Sequence, residues 1–286
     1  MSTPPEPPSE YPTPPASSSY AGNLVLIGAG KMGGALLQGW IGLGVDPACM
    51  AVLEPQPAES IAALSARGVR INPDPASICP DAIVIAVKPQ IAAEIMPSVA
   101  SLMLPSTVVV SIMAGRTIES LARALPHNAA VVRAMPNTPA AIGRGITVAV
   151  PNSRVSSEQR QLADGLLRAT GAVEWIDDET LMDAITAVSG SGPAYVFLLA
   201  ESLARAGERA GLPAELAERL ARATVAGSGE LLYRSSVDAA VLRQNVTSPG
   251  GTTAAALDVL MAHGGLDLLM EHAIAAATRR SRELAG

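Results

Sequence analysis

Aromatic side chains are nearly missing from this 286-residue chain: two Trp, four Tyr and one Phe make 2% of it. Hydrophobic residues still reach 49%, so the core must be built from Ala, Val, Ile, Leu and Met. Lysine is scarcer than its charge partner: Lys31 and Lys88 are the only two, and every other basic residue is Arg. With a net charge of −6 and no basic run, a nucleic-acid partner is not expected, because phosphate binding needs concentrated positive charge. The two cysteines, Cys49 and Cys79, form neither a disulfide framework nor a metal-ligand spacing, so no metal is expected; they read as reduced thiols of a cytoplasmic protein. No apolar run reaches the roughly 18 residues of a membrane span. Residues 1–21 lack the basic start and apolar run of a signal peptide. Seven prolines fall between Pro4 and Pro15. Such a segment buries too little apolar surface to offset its ordering entropy, and is expected to be an unstructured tail, or alternatively an extended docking peptide.

What is present starts at Gly22. Short apolar runs at 23–27, 50–53, 82–87, 107–112 and 130–134 alternate with helical stretches at 32–43, 58–66, 92–102 and 118–124. A further run at 145–150, a helix at 158–169 and a strand at 173–176 close the repeat. Strands alternating with helices imply right-handed crossovers and a parallel sheet covered on both faces, hence an α/β, Rossmann-type doubly wound domain over residues 22–178. Residues 179–286 read as an all-α domain. In its segment 194–209 the clear polar positions are Glu201, Ser202, Arg205, Glu208 and Arg209, mostly one stripe. A helix apolar on most sides must be buried on most sides. The helical region is too small to achieve that alone, so it is expected to pack against its copy as a two-fold homodimer.

The first strand runs into Gly28-Ala29-Gly30-Lys31-Met32-Gly33. A GxGxxG between a strand and a helix at the head of a βαβ repeat is a dinucleotide-binding signature. Gly28 permits the tight turn, Gly30 lets a pyrophosphate approach the backbone, and Gly33 lets helix pack on strand. The helix N-terminus offers N–H groups to phosphate. Glu54 follows the second strand, where an acid accepts the adenosine ribose hydroxyls and repels a 2′-phosphate. The cofactor is therefore NADPH or NADH, with NADH favoured; the plainer alternative for Glu54 is an exposed acid in a Pro-flanked loop. Ala86, Val87, Lys88 and Pro89 end the third predicted strand, at the edge where ligands of open sheets collect. Lys88 there either steadies a phosphate or carboxylate, or is a solvated loop lysine. Asn137, in a Pro-rigidified loop, is a candidate partner for the nicotinamide amide.

Carbonyl reduction needs a proton donor, usually His or Lys. The candidates are few: no lysine follows Lys88, His127 sits in a Pro-His-Asn turn, and His263 and His272 are placed in the last helices. A protonated cyclic imine already carries its proton and needs only placement and a held carboxylate. Val246 to Thr253 offers that hold: Ser248, Pro249, Gly250 and Gly251 open a helix with bare N–H groups, and Thr252 and Thr253 fall in its first turn. A simple helix cap with turn residues is the alternative.

With these motifs in view the chain resembles the pyrroline-5-carboxylate reductases from Gly22 onward. The resemblance rests on GAGKMG (28–33), AVKPQ (86–90), RAMPNTPA (133–140), AVSGSGPAYVF (187–197) and TSPGGTT (247–253). The β-hydroxyacid dehydrogenases share the first, but use a second-domain lysine that this chain lacks. The resemblance implies NAD(P)H-dependent reduction of L-1-pyrroline-5-carboxylate to L-proline by a Rossmann domain and a helical domain interlocked with a partner subunit, in a homodimer or a larger ring of dimers. It implies cofactor contacts at Gly28–Gly33, Glu54, Val87–Pro89, and Met113–Ala114 after the fourth predicted strand. Asn245 matches a residue that reaches the cofactor, in its own subunit or across the dimer. Thr253 matches the threonine whose hydroxyl bonds the substrate ring nitrogen, the catalytic assignment. Backbone at Ser248 and Gly250 to Thr252 holds the carboxylate.

Two positions depart from the family pattern. Where an acid often precedes TSPGG, Ser236 stands; either Asp238 substitutes for it or the acid is dispensable. Where Ser, Arg or Thr often follows the second strand and suits NADPH, Glu54-Pro55 stands. A reductase of another cyclic imine or oxo acid, and a non-catalytic dinucleotide sensor, are the competing functions.

Overall fold

The computed structural model describes residues 22–285; the Pro-rich segment 1–21, expected to form an unstructured tail, lies outside them. The chain divides into two compact units, one of residues 22–190 with 277–285 and one of residues 191–276. The division falls after Gly190 rather than at 178 because the intervening segment packs on the sheet: Met182 is buried with Val148 and Val150.

In the first unit the order is β1 (Leu24–Ile27), α1 (Lys31–Gly42), β2 (Met50–Leu53), α2 (Glu59–Ala62), β3 (Arg70–Ile71), β4 (Ala82–Ile85), α3 (Ala92–Leu102), β5 (Val108–Ser111), α4 (Ile118–Ala122), β6 (Ala130–Met135), β7 (Gly145–Pro151), α5 (Ser157–Arg168), β8 (Gly171–Trp175) and α6 (Met182–Ile185). The eight strands form one sheet ordered β3-β2-β1-β4-β5-β6-β7-β8. β1 pairs in parallel with both β2 and β4, which makes its carboxyl end the point where chain order reverses. Ligands of open α/β sheets bind at such a point.

Strands β1, β4 and β5 are apolar on both faces because helices cover both. Alternation divides them: Leu24, Leu26, Val108 and Val110 pack with Leu36, Leu37 and Trp40 of α1 and Leu166 and Leu167 of α5. Val25, Ile27 and Val109 pack on the other side with Met96 and Val99 of α3 and Leu121 of α4. The Trp40 Nε1–H donates to the Leu166 carbonyl at 2.8 Å, so α1, which carries the glycine loop at its head, is pinned to α5.

Two features depart from the expected all-parallel sheet. β7 runs antiparallel to β6, with Val132 opposite Pro151 and Met135 opposite Val148. The 136–144 connection holds only a 3-10 turn, Thr138–Ile142, and is too short for a parallel crossover, which takes a dozen or more residues. β3, paired with β2, is two residues long and leaves no periodicity to read.

The second unit holds α7 (Gly192–Arg209), α8 (Ala214–Arg234), α9 (Ala239–Asn245), α10 (Thr252–Leu260) and the first part of α11 (Leu266–Ala285). α7 and α8 approach closely at Gly207, where an added Cβ would lie 3.3 Å from Ala217 Cβ. The expected polar stripe of α7 is held by Arg205, which bonds Glu201 at 3.3 Å and Ser202 at 3.0 Å. Its apolar residues stand open: Val196, Phe197, Leu198 and Leu199 are 47%, 62%, 55% and 55% exposed. Apolar residues of α10 are also exposed, among them Val259 and Leu260. His263 lies in the turn between α10 and α11, not in a helix as expected, because Gly264 adopts φ +88° and ends the helical run. Among the described residues no helix is long and apolar enough to cross a membrane.

Candidate active site

The glycine loop joins β1 to α1, and each glycine meets a different steric demand. Gly28 has φ +90°, and an added Cβ would lie 2.7 Å from Val87 Cγ1 and 2.9 Å from the Ala86 carbonyl oxygen. At Gly33 the added atom would fall on the Gly28 carbonyl oxygen. At Gly30 it would meet nothing within 4 Å. The first and third glycines are therefore demanded by the fold, whereas the second faces open space beside the head of α1. That helix has no side-chain cap and no acid in its first turn. Bare N–H groups at a helix start beside an open glycine suit a phosphate, so the loop fits a dinucleotide. Lys31 is exposed and Met32 half-buried at the start of the helix. A groove of about 630 Å³ runs alongside, lined by Ala29, Gly30, Lys31, Ser60 and Ala141 among others.

Glu54 is half-buried just beyond β2 and folds back toward the loop. Its Oε2 accepts from the Ala29 N–H at 3.0 Å and its Oε1 from the Gln56 N–H at 3.2 Å. The carboxylate thus stands beside the loop, and is not a freely solvated acid. After β4, the Ala86 N–H still donates to the Ile27 carbonyl at 2.8 Å, extending the sheet into the loop. Lys88 is exposed and precedes the Pro89–Ile91 turn. Arg116, unforeseen from the sequence, reaches from the loop after β5 and donates to the Pro89 carbonyl through Nε (3.2 Å) and Nη2 (2.8 Å). It braces the two loops that carry Val87–Pro89 and Met113–Ala114. Met113 is buried and Ala114 exposed. Next to them Gly115, at φ +71°, lies 3.3 Å from Leu284 for an added Cβ, so the end of α11 packs on this loop. Ser281 of α11 also donates to Asp183 at 2.6 Å.

The RAMPNTPA segment is held from below and above. Arg133, on β6 and buried, pairs with Glu179 Oε1 at 2.8 Å. The same oxygen accepts from the Ile118 N–H at 2.8 Å. Glu179 is only half-buried, so its removal is the costlier change: it strands the buried Arg133 cation. Just before Glu179, the Thr180 hydroxyl and then its N–H hold the Asp178 carboxyl below the usual carboxylate range. Asn137 is engaged within the chain: its Oδ1 accepts from the Ile146 N–H at 3.0 Å, and its Nδ2 donates to the Ser189 hydroxyl at 3.3 Å. Ser189 belongs to a π-helical turn, Thr186–Gly190, a distortion frequent at functional sites.

In the helical unit Asn245 closes α9 and is exposed. The chain turns through Ser248, Pro249 and Gly250, with Gly250 at φ +70°. The Gly251 N–H bonds to the Ser248 carbonyl at 3.0 Å, while Thr247 Oγ1 donates to the Arg243 carbonyl at 2.7 Å. Gly251 is the residue before α10, which again has no side-chain cap. The first N–H bonded back into the helix is that of Ala255, to the Gly251 carbonyl at 3.2 Å. Thr252 is exposed and Thr253 half-buried in the first turn. Asp238 precedes α9 without capping it through its side chain. His127, His263 and His272 are all exposed.

Residues 179–284 match the family described as pyrroline-5-carboxylate reductase dimerisation, and residues 23–115 match NADP oxidoreductase coenzyme F420-dependent. A pyrroline-5-carboxylate reductase of Pseudomonas aeruginosa is 40% identical over 265 residues, 92% of this chain and 96% of its own. The chain belongs to the pyrroline-5-carboxylate reductase family. Membership makes it an oxidoreductase with a Rossmann-type nucleotide unit. Solved structures agree: a pyrroline-5-carboxylate reductase from Coxiella burnetii superposes with a TM-score of 0.85 at 34% identity, covering 93% of this chain and 99% of that one. One from Plasmodium falciparum, with NADP bound, gives 0.79 at 29% identity, covering 94% and 100%.

The glycine geometry separates two substitutions. Gly30→Ala should leave the thermal midpoint near that of the wild type while weakening dinucleotide binding about tenfold or more, some 1.4 kcal/mol. Gly33→Ala should lower both stability and binding, since the loop itself must move. Thermal melts beside cofactor titrations test this. Equal affinity in Gly30→Ala would show that no phosphate approaches there.

Proposed function

We propose that this chain reduces L-1-pyrroline-5-carboxylate to L-proline at the expense of NADH in preference to NADPH. The observation that carries the substrate side is the head of α10: an uncapped helix N-terminus after a Pro-Gly-Gly turn, with Thr253 in its first turn. The N–H groups at Thr252 to Ala254 and the backbone around Ser248 and Gly250 hold the carboxylate. The Thr253 hydroxyl accepts from the ring N–H and orients the imine. No side-chain acid is asked for, in keeping with three exposed histidines and no lysine in the helical unit. The cyclic imine brings its own proton, so the chain's task is placement and exclusion of water.

The dinucleotide supplies the hydride when bound, held by Gly28 to Gly33, Glu54, Ala86 to Pro89 and Met113–Ala114, with Asn137 and Asn245 as further contacts. Glu54 supports the choice of NADH: its carboxylate stands beside Ala29, where it accepts ribose hydroxyls and repels a 2′-phosphate. The open apolar face of α7 supports a homodimer through the helical unit. Covering residues such as Phe197 stabilises by about 25 cal/mol per Å² of apolar surface.

Purified protein given pyrroline-5-carboxylate should oxidise NADH faster than NADPH, with proline formed in step. Oxidation of neither, by folded protein that binds dinucleotide, would overturn the substrate. Thr253→Ala should lower kcat/KM by roughly one to two orders of magnitude, the loss of one well-placed hydrogen bond in the transition state; wild-type turnover would remove its role. Phe197→Glu should shift sedimentation from dimer, or a ring of dimers, toward monomer. A wild-type chain that sediments as monomer would refute the dimer.

A further inference from the structure

We propose that Asn72 positions Glu54 and is thereby a determinant of the choice between NADH and NADPH, an inference that rests on Glu54 reading the adenosine ribose. Among the described residues Asn72 is the one non-glycine at positive φ, +48°. Asn is among the few residues that tolerate this region. The conformation turns its amide across the main chain of Glu54. The Glu54 N–H donates to Asn72 Oδ1 at 2.8 Å, and Asn72 Nδ2 donates to the Glu54 carbonyl at 2.8 Å. A single side chain therefore satisfies both backbone polar groups of one residue.

This bracket sits where the sheet stops. β3 ends at Ile71, and the Asn72 N–H still donates to the Val52 carbonyl at 2.8 Å, as a next strand residue would. A purely structural residue closing β3 needs that backbone bond alone. The amide does more: it carries the ladder one residue past β2 and fixes the backbone from which the Glu54 carboxylate reaches Ala29. The stretch after Glu54 cannot substitute, because Pro55 and Pro57 have no N–H to donate. The Gln56 N–H is already given to Glu54 Oε1. Asn72 itself is exposed, and it belongs to none of the three hydrophobic clusters, so deleting its amide does not open the core.

Asn72→Gly keeps the positive φ at no steric cost and removes the amide. The ratio of kcat/KM for NADH to that for NADPH should fall about three- to tenfold, with the change in KM for NADH, as expected when cofactor placement loosens. Asn72→Ser, with a hydroxyl too short to span Glu54, should give the same shift should Asn72→Gly fail to fold. Glu54→Gln should lower the ratio further, and adding Asn72→Gly to it should change the ratio no more, because the two act as one unit. Equal effects on both cofactors, or additive effects in the double variant, would assign Asn72 a merely structural part. A shift in Glu54→Gln with none in Asn72→Gly or Asn72→Ser overturns the Asn72 role alone. No shift in Glu54→Gln removes the ribose reading, and the Asn72 role falls with it.

Discussion

The nucleotide unit depends on one close approach: the backbone of Gly28 against Val87 and the Ala86 carbonyl, with the Gly28 carbonyl against Gly33. No side chain fits in either gap. That contact sets three things at once. It lets β1 lie between β2 and β4 in parallel, it brings α1 onto the strand it follows, and it leaves the head of α1 uncapped at the carboxyl edge. Every other nucleotide-side residue is placed relative to it. Glu54 reaches back to Ala29 from β2, Val87 touches the loop from β4, and Arg116 ties the next loop to Pro89. Dense packing of Leu and Val on both faces of the sheet makes this edge rigid, so the site's precision comes from the core.

The same physics recurs at α10 with different residues. There too a glycine precedes a helix whose first N–H groups have no side-chain cap. A single chain thus builds two helix heads without a side-chain cap, α1 in one unit and α10 in the other. On the proposed function, the second of these heads holds the substrate carboxylate in a unit that contains no lysine.

Much of this was legible in the sequence, for reasons that can be named. The buried runs LVLI, AIVI and VVVS have no polar alternation because both faces are covered, which is itself the mark of a parallel sheet. The glycine loop was readable because Gly28 and Gly33 answer steric needs of the backbone, and TSPGGTT because its Pro-Gly-Gly turn precedes a helix. Other features were not. β7 turns antiparallel because the connection after β6 is short, and the strand's own residues carry no sign of direction. Arg116, the Arg133–Glu179 pair and the Asn72 bracket join residues far apart in the chain, so no local pattern announces them. Asn72 left one clue, an Asn-Pro step after a short apolar run, compatible with any turn. Asn137 was legible as a loop residue, yet its bonds to Ile146 and Ser189 were not. They give it a part in shaping the loop whatever else it contacts.

On the proposed function, the exposed apolar face of the helical unit bears on catalysis as well as on assembly. α10 is only nine residues long, and isolated helices shorter than about 12–15 residues are marginal in water. Its head carries Thr252 and Thr253, while Val259 and Leu260 near its other end are exposed. A helix this short holds its N–H groups in place only if its apolar side is covered, since little of its stability comes from propensity. On the dimer reading, the surface that joins two chains also orders the helix that meets the substrate. Association and substrate binding are then linked by mass action: whatever favours the covered form of α10 favours the formed carboxylate site.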